Sequence, residues 1–127
     1  MTADILIVDD NAIQAATRKS ILLRTGRSVL VACKATQALE MLRDASLRKS
    51  LGLVITDHSM PEMNGPEFVA ELRRVLPQVP VVVLSGFPNV EDDYEGMNIL
   101  FRMKPVPPDQ LIAMAESLLE PPMTRTA

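Results

Sequence analysis

Aromatic side chains are scarce in this sequence: it has no tryptophan, one tyrosine and three phenylalanines. Any core must therefore be built from Val, Leu, Ile, Ala and Met. Cys33 is the only cysteine, which excludes an internal disulfide and suits a reducing, cytoplasmic setting. Cys33 itself reads as a buried or half-buried filler rather than a ligand or nucleophile. No apolar run approaches the roughly 20 residues that a membrane span requires. The amino terminus lacks a basic segment followed by a cleavage site, so no signal peptide is expected. A net charge of -3 supplies no basic face for direct contact with nucleic acid. What remains is a chain of 127 residues, 47% hydrophobic and 23% charged, enough for one domain with a single core.

Three short runs are wholly apolar: Ile5 to Val8, Leu53 to Ile55 and Val81 to Leu84. Their length and β-branched content predict buried strands. Val29 to Ala32 and Asn98 to Phe101 are weaker strand candidates. Between them lie stretches with helical spacing. Ile13, Ala16, Ser20 and Leu23 share a face in the first, and Thr36 is a candidate N-cap for the second, with Ala38, Leu39, Met41 and Leu42 following. A third stretch runs from Pro66 to Leu76, with proline in its first turn and Pro77 as its stop. A last runs from Pro108 to Leu119. Alternating strands and helices imply right-handed crossovers and a parallel sheet covered on both faces. The acidic stretch from Gly86 to Met97 has no sustained apolar stripe, so the fourth crossover is expected to hold one or two helical turns at most. One domain is expected over residues 1–120, followed by a short disordered tail over 121–127.

All strands of a parallel sheet point the same way, and residues just past their ends share the edge where such sheets bind ligands. Asp9 and Asp10 follow the first strand, Asp57 ends the third, Ser85 the fourth, and Lys104 the fifth. Four of five strands thus deliver a polar group to one rim. If the first and third strands are neighbours, about 4.8 Å apart, their acids crowd together. Two carboxylates roughly 5 Å apart repel by about 3 kcal/mol at an effective dielectric near 20. A hard divalent cation such as Mg²⁺ with oxygen ligands relieves this, and Lys104 adds positive charge. Three acids, a cation, a hydroxyl and a lysine suit phosphoryl transfer, with Asp57 as the nucleophile.

The ordered set Asp9-Asp10, Asp57 to Gly65 (Asp-His-Ser-Met-Pro-Glu-Met-Asn-Gly), Ser85-Gly86 and Lys104-Pro105 resembles the receiver domains of response regulators in bacterial two-component systems. The resemblance extends from about Ile5 to Leu119. It implies an α/β, flavodoxin-like three-layer sandwich, with a five-stranded parallel sheet in the order 2-1-3-4-5 and helices on both faces. By resemblance, Asp57 is the phosphoacceptor, and Asp9, Asp10, Asp57 and the backbone carbonyl of Ser59 hold Mg²⁺ or Mn²⁺. Ser85 is implied as the hydroxyl that hydrogen-bonds the phosphoryl group, and Lys104 pairs with one of its oxygens across a cis Lys104–Pro105 bond. Phe101 aligns with the aromatic switch residue, although it lacks the hydroxyl of a tyrosine. The implied role is a signalling switch rather than an enzyme. Its phosphodonor would be a sensor histidine kinase or a histidine phosphotransfer protein, and its output an unknown downstream protein. It would act as a monomer or a phosphorylation-dependent dimer, stand-alone or as a module of a hybrid kinase.

Plainer readings stand beside these. Asp9 and Asp10 could cap the first helix together with Asn11. His58, the only histidine, points to the opposite side of its strand from Asp57. Arg18, Lys19 and Arg24 read as the outer side of the first helix, and Glu91-Asp92-Asp93 as a solvated face. A phosphatase working through an aspartyl phosphate would need a further acid–base residue, for which the sequence offers no candidate. A phosphorylation-independent interaction module would have no use for the full acid–lysine set.

Overall fold

Every strand expected from the apolar runs forms, and the five lie in one parallel sheet in the order β2-β1-β3-β4-β5. The computed structural model describes residues 1–119; the expected tail over 121–127 lies outside them. In chain order the elements are β1 (Ile5–Val8), α1 (Ala12–Leu22), β2 (Val29–Ala32), α2 (Ala35–Met41), α3 (Ala45–Ser50) and β3 (Leu53–Asp57). Then follow α4 (Gly65–Val75), β4 (Val81–Ser85), β5 (Leu100–Met103) and α5 (Pro108–Leu119).

The twofold alternation of strand side chains divides the core into two layers. Leu6, Val8, Val54 and Val83 face α2, α3 and α4, packing on Ala38, Leu42, Leu47, Phe68 and Leu72. Ile5, Ile7, Leu53, Ile55 and Leu84 face the other way, onto Ala15 and Leu22 of α1 and Leu111 and Ala115 of α5. The central strands β1, β3 and β4 are buried on both faces, which is why they read as unbroken apolar runs.

Several local expectations are corrected. The face of α1 defined by Ile13, Ala16, Ser20 and Leu23 is solvent-exposed, and Ala15 and Leu22 do the packing. Thr36 lies inside α2 rather than capping it; Lys34 is the cap residue, and the Gln37 side chain accepts the Cys33 N–H instead. Cys33 is exposed. The last strand begins two residues later than expected, because Asn98 sits in the left-handed region at φ 56° and cannot belong to a strand. Helix α3 has no counterpart among the helical stretches expected from the sequence. It has six residues and one buried side chain, Leu47, and starts at Asp44, whose carboxylate accepts the N–H groups of Ser46 and Leu47.

The fourth crossover contains no α-helix, only a 3₁₀ turn over Val90–Tyr94. Left-handed residues at Asn89, Gly96 and Asn98 interrupt any longer helix. Two anchors hold the segment in place: buried Val90 and Tyr94, and Arg73 of α4. The Arg73 guanidinium donates to the carbonyls of Met97 and Asn98 at 2.8 Å each, and to those of Leu76 and Val79 at 3.1 and 2.6 Å. Arg73→Ala is therefore expected to cost about 1–2 kcal/mol, the sum of several half-exposed charged hydrogen bonds. It should also speed amide exchange selectively around residues 97–99. An unchanged melting temperature with unchanged exchange there would show that the crossover holds itself.

Candidate functional site

The strand ends bring the predicted acids together. Val8 pairs with Thr56, which sets Asp9 beside Asp57 at the carboxyl edge of the sheet. Both continue the alternation that faces α1 and α5. Asp9, Asp10 and Asp57 offer oxygens that all lie within 4.8 Å of one another. Asp9 and Asp57 are buried, whereas Asp10 is exposed. Capping does not consume these acids, because Asn11 caps α1 by accepting the N–H groups of Ile13 and Gln14. Asp9 Oδ1 in turn accepts the Asn11 N–H at 2.8 Å, and this fixes the carboxylate.

Lys104 closes the site from the β5 side. Its Nζ lies 2.7 Å from Asp57 Oδ1, but the approach is an ion pair rather than a directed hydrogen bond, and this buried oxygen has no hydrogen-bond donor. Burial pushes the Asp57 carboxyl up to about 6; the neighbouring Asp9 adds to the rise and Lys104 opposes it. Three hard oxygen donors and one undersatisfied buried carboxylate oxygen fit a small divalent cation, of which Mg²⁺ and Mn²⁺ are the natural candidates.

Ser85 ends β4 at the same edge, only 3% exposed, with Oγ accepting the Phe87 N–H at 2.9 Å. Phe101 is half-buried and pairs with Val83. It therefore shares a sheet face with Ser85, on the side away from Asp9 and Asp57. Ser59 is exposed in the loop after β3. The Lys104–Pro105 peptide bond is cis. His58 follows the end of β3. Its Nδ1 lies 2.8 Å from the hydroxyl of buried Tyr94, and burial, with Asp93 and Asp57, raises the tyrosine well above the usual phenol range.

Arg18 departs most from expectation. It turns inward from α1, with Nη1 2.5 Å from Asp9 Oδ2 and 3.9 Å from Asp57 Oδ1. No signal in the sequence marks it; Gln14, one turn earlier, places Oε1 3.5 Å from both Arg18 Nη2 and Lys104 Nζ. Several grooves flank the helices. One, of about 320 Å³, adjoins the acids and is lined by Ile13, Thr17, Ile21, Lys104, Val106 and Leu111. A larger one, of about 530 Å³, lies between α2 and α4 around Leu39, Leu42 and Val75, and it contains none of the acids.

Comparison with known proteins agrees with this geometry. The response regulator receiver domain model matches residues 5–116. The transcriptional regulatory protein ZraR of Klebsiella oxytoca is 30% identical over 132 aligned positions, covering 97% of this chain and 29% of that protein. The hydrogenase transcriptional regulatory protein HoxA of Cupriavidus necator is 32% identical, covering 93% of this chain and 24% of that protein. The chain thus spans only about a quarter of the length of these curated relatives. Among solved structures, the receiver domain of NtrX from Brucella abortus is 32% identical with a TM-score of 0.78, over 92% of this chain and 98% of that one. A CheY-like receiver domain protein from Methanospirillum hungatei reaches a TM-score of 0.83 at 24% identity, over 94% and 95% of the two chains, and shows the shared fold. With the acid cluster and lysine at the expected strand ends, the chain belongs to the response regulator receiver domain family.

Proposed function

We propose that Asp57 accepts a phosphoryl group from a phosphohistidine, and that the resulting charge switches this domain's affinity for a partner. The observation that carries the reading is the position of Asp57. It is buried between the Asp9–Asp10 pair and an ammonium 2.7 Å away. In the forward step an Asp57 carboxylate oxygen attacks phosphorus. The P–N bond to the donor imidazole breaks, its electron pair stays on the imidazole nitrogen, and an acyl phosphate forms. Water attacking the same phosphorus later cleaves the P–O bond and restores the carboxylate. Asp9, Asp10, Asp57 and the Ser59 carbonyl would hold Mg²⁺ or Mn²⁺, which neutralises the phosphoryl oxygens when bound. Lys104 pairs with a further oxygen and holds the group in line.

Receivers pair with histidine kinases, which supports a sensor kinase or a histidine phosphotransfer protein as donor and a cytoplasmic setting. The apolar groove beside Lys104 suits a docking helix. It is lined by Ile13, 79% exposed, and by Ile21 and Val106. On the output side, Ser85 drawn toward a phosphoryl oxygen would release the Phe87 N–H, and Phe101 would follow by packing, biasing a two-state surface. That surface includes the helix-free fourth crossover, so a downstream protein would meet a sheet edge and a 3₁₀ turn there.

Intact-protein mass after incubation with acetyl phosphate tests this. The wild type is expected to gain one phosphoryl group only with Mg²⁺, and Asp57→Asn none. Equal labelling of Asp57→Asn would overturn the assignment of Asp57.

A further inference from the structure

Asp9 and Asp57 are met from one side by Lys104 and from the other by a cation that the sequence placed on the outside of α1. Arg18 is only 14% exposed. Its Nη1 lies 2.5 Å from Asp9 Oδ2 and 3.9 Å from Asp57 Oδ1, so it stands within reach of two of the three acids that form the candidate cation site. The guanidinium is not there by default. Two turns of helix separate it from the acids in sequence, and a charged side chain on α1 has open solvent available. It is held by a charge-assisted bond to a fully buried carboxylate and supported by Gln14 Oε1 at 3.5 Å.

We infer that Arg18 is a built-in competitor for the metal site. Its guanidinium pairs with Asp9 and must leave that carboxylate for a divalent cation to bind there. Two considerations support competition over cooperation. A guanidinium has donors only and no lone pair, so it cannot join a metal's ligand shell and instead covers the Asp9 oxygen a metal would need. A monovalent and a divalent cation a few ångströms apart also repel strongly in a pocket this sheltered. The consequence is a raised threshold. Metal loading needs enough divalent cation, or a second acceptor for the guanidinium, to displace Arg18. Arg18 also lines the groove beside Lys104. A docking partner that offers a carboxylate there would draw Arg18 off Asp9 and tighten metal binding, and by linkage the metal would tighten docking equally.

This inference rests on the reading of Asp9, Asp10 and Asp57 as a cation site, and the test separates the two. Mn²⁺ is titrated into the full chain at fixed ionic strength and free Mn²⁺ is read by electron paramagnetic resonance. Arg18→Ala is expected to bind Mn²⁺ about tenfold tighter or more, whereas Lys19→Ala, which removes a neighbouring charge of α1, should gain about twofold or less. Arg18→Lys, which keeps the charge on a shorter side chain, should fall between wild type and Arg18→Ala. In a parallel measurement, saturating Mg²⁺ should shift the Arg18 guanidinium resonances of the wild type. If Arg18→Ala gains no more than Lys19→Ala, or the resonances do not move, the competition is absent while the cation site stands. If neither wild type nor Arg18→Ala binds Mn²⁺, the cation reading fails and the inference fails with it.

Discussion

Gly65→Ala is expected to cost about 2–3 kcal/mol, a fall in melting temperature near 10 °C for a domain of this size. The backbone at Gly65 does not need glycine for its conformation, since its φ is not in the left-handed region. Space is the constraint. A Cβ at position 65 would stand 2.0 Å from the Tyr94 hydroxyl and 3.0 Å from the Cα and carbonyl oxygen of His58. The helix start cannot retreat, because the Gly65 N–H donates to the His58 carbonyl at 2.9 Å and Asn64 and Glu67 close a capping box around it. The tyrosine must move instead, which breaks its 2.8 Å contact with His58 Nδ1 and strands a buried hydroxyl. Alanine's better helix propensity returns less than 1 kcal/mol. Thermal unfolding of Gly65→Ala and of Gly65→Ala/Tyr94→Phe checks the account. Removing the hydroxyl should recover a large part of the loss. A loss under 0.5 kcal/mol in the single variant would mean that Tyr94 is not braced against this loop.

The sheet and its acid-bearing edge are legible for a simple reason. Strands buried on both faces leave unbroken apolar runs, and a polar residue placed directly after such a run can only lie at its end. Asp9, Asp57 and Ser85 are legible this way, and the metal-like cluster follows from strand adjacency; Lys104 lies beyond the edge strand β5 and has no such apolar run before it. The roles proposed for Ser59 and Phe101 rest on resemblance alone, because neither residue type signals such a role. What failed depended on side-chain reach or on edges. The inner face of α1 is carried by Ala15 and Leu22, while the bulkier Ile13 lies on the outside, bordering the groove, so reading the stripe by size chose the wrong side. β5 is an edge strand with mostly exposed side chains, and its start could not be read from hydrophobicity. Arg18 resembles any surface arginine until the fold brings a buried carboxylate within its span. Arg73 is another such case: its four acceptors are all backbone carbonyls, which leave no trace in the side-chain pattern.

Asp57→Asn is expected to stabilise the metal-free protein at pH 8 by roughly 2 kcal/mol, even as it abolishes labelling. Burial and Asp9 raise the Asp57 carboxyl from 3.8 to about 6 in the folded state. A raised carboxyl means that the folded state holds its proton more tightly than the unfolded chain, so the associated stability is complete below about pH 4 and lost as pH climbs through 6. About two units would be worth close to 3 kcal/mol, and solvent at the pocket mouth screens this to roughly 2. Asparagine has no charge to bury and should not show this loss. The difference in melting temperature between variant and wild type should therefore be near zero at pH 4, grow between pH 4 and 6, and level off above pH 7 at about 6–8 °C. Millimolar Mg²⁺ should close most of that gap by raising the wild type through binding to the native state. The 2.7 Å ion pair with Lys104, which the variant loses, already lowers the carboxyl within that net rise. Lys104 is 25% exposed and can turn its ammonium to water, so its loss weighs less than the desolvated carboxylate. An Asp57→Asn protein less stable than wild type at pH 8 without metal would reverse that ranking. It would mean that Lys104 and Arg18 already neutralise the pocket, and that the drive to recruit a divalent cation comes from the phosphoryl group rather than from the buried acids.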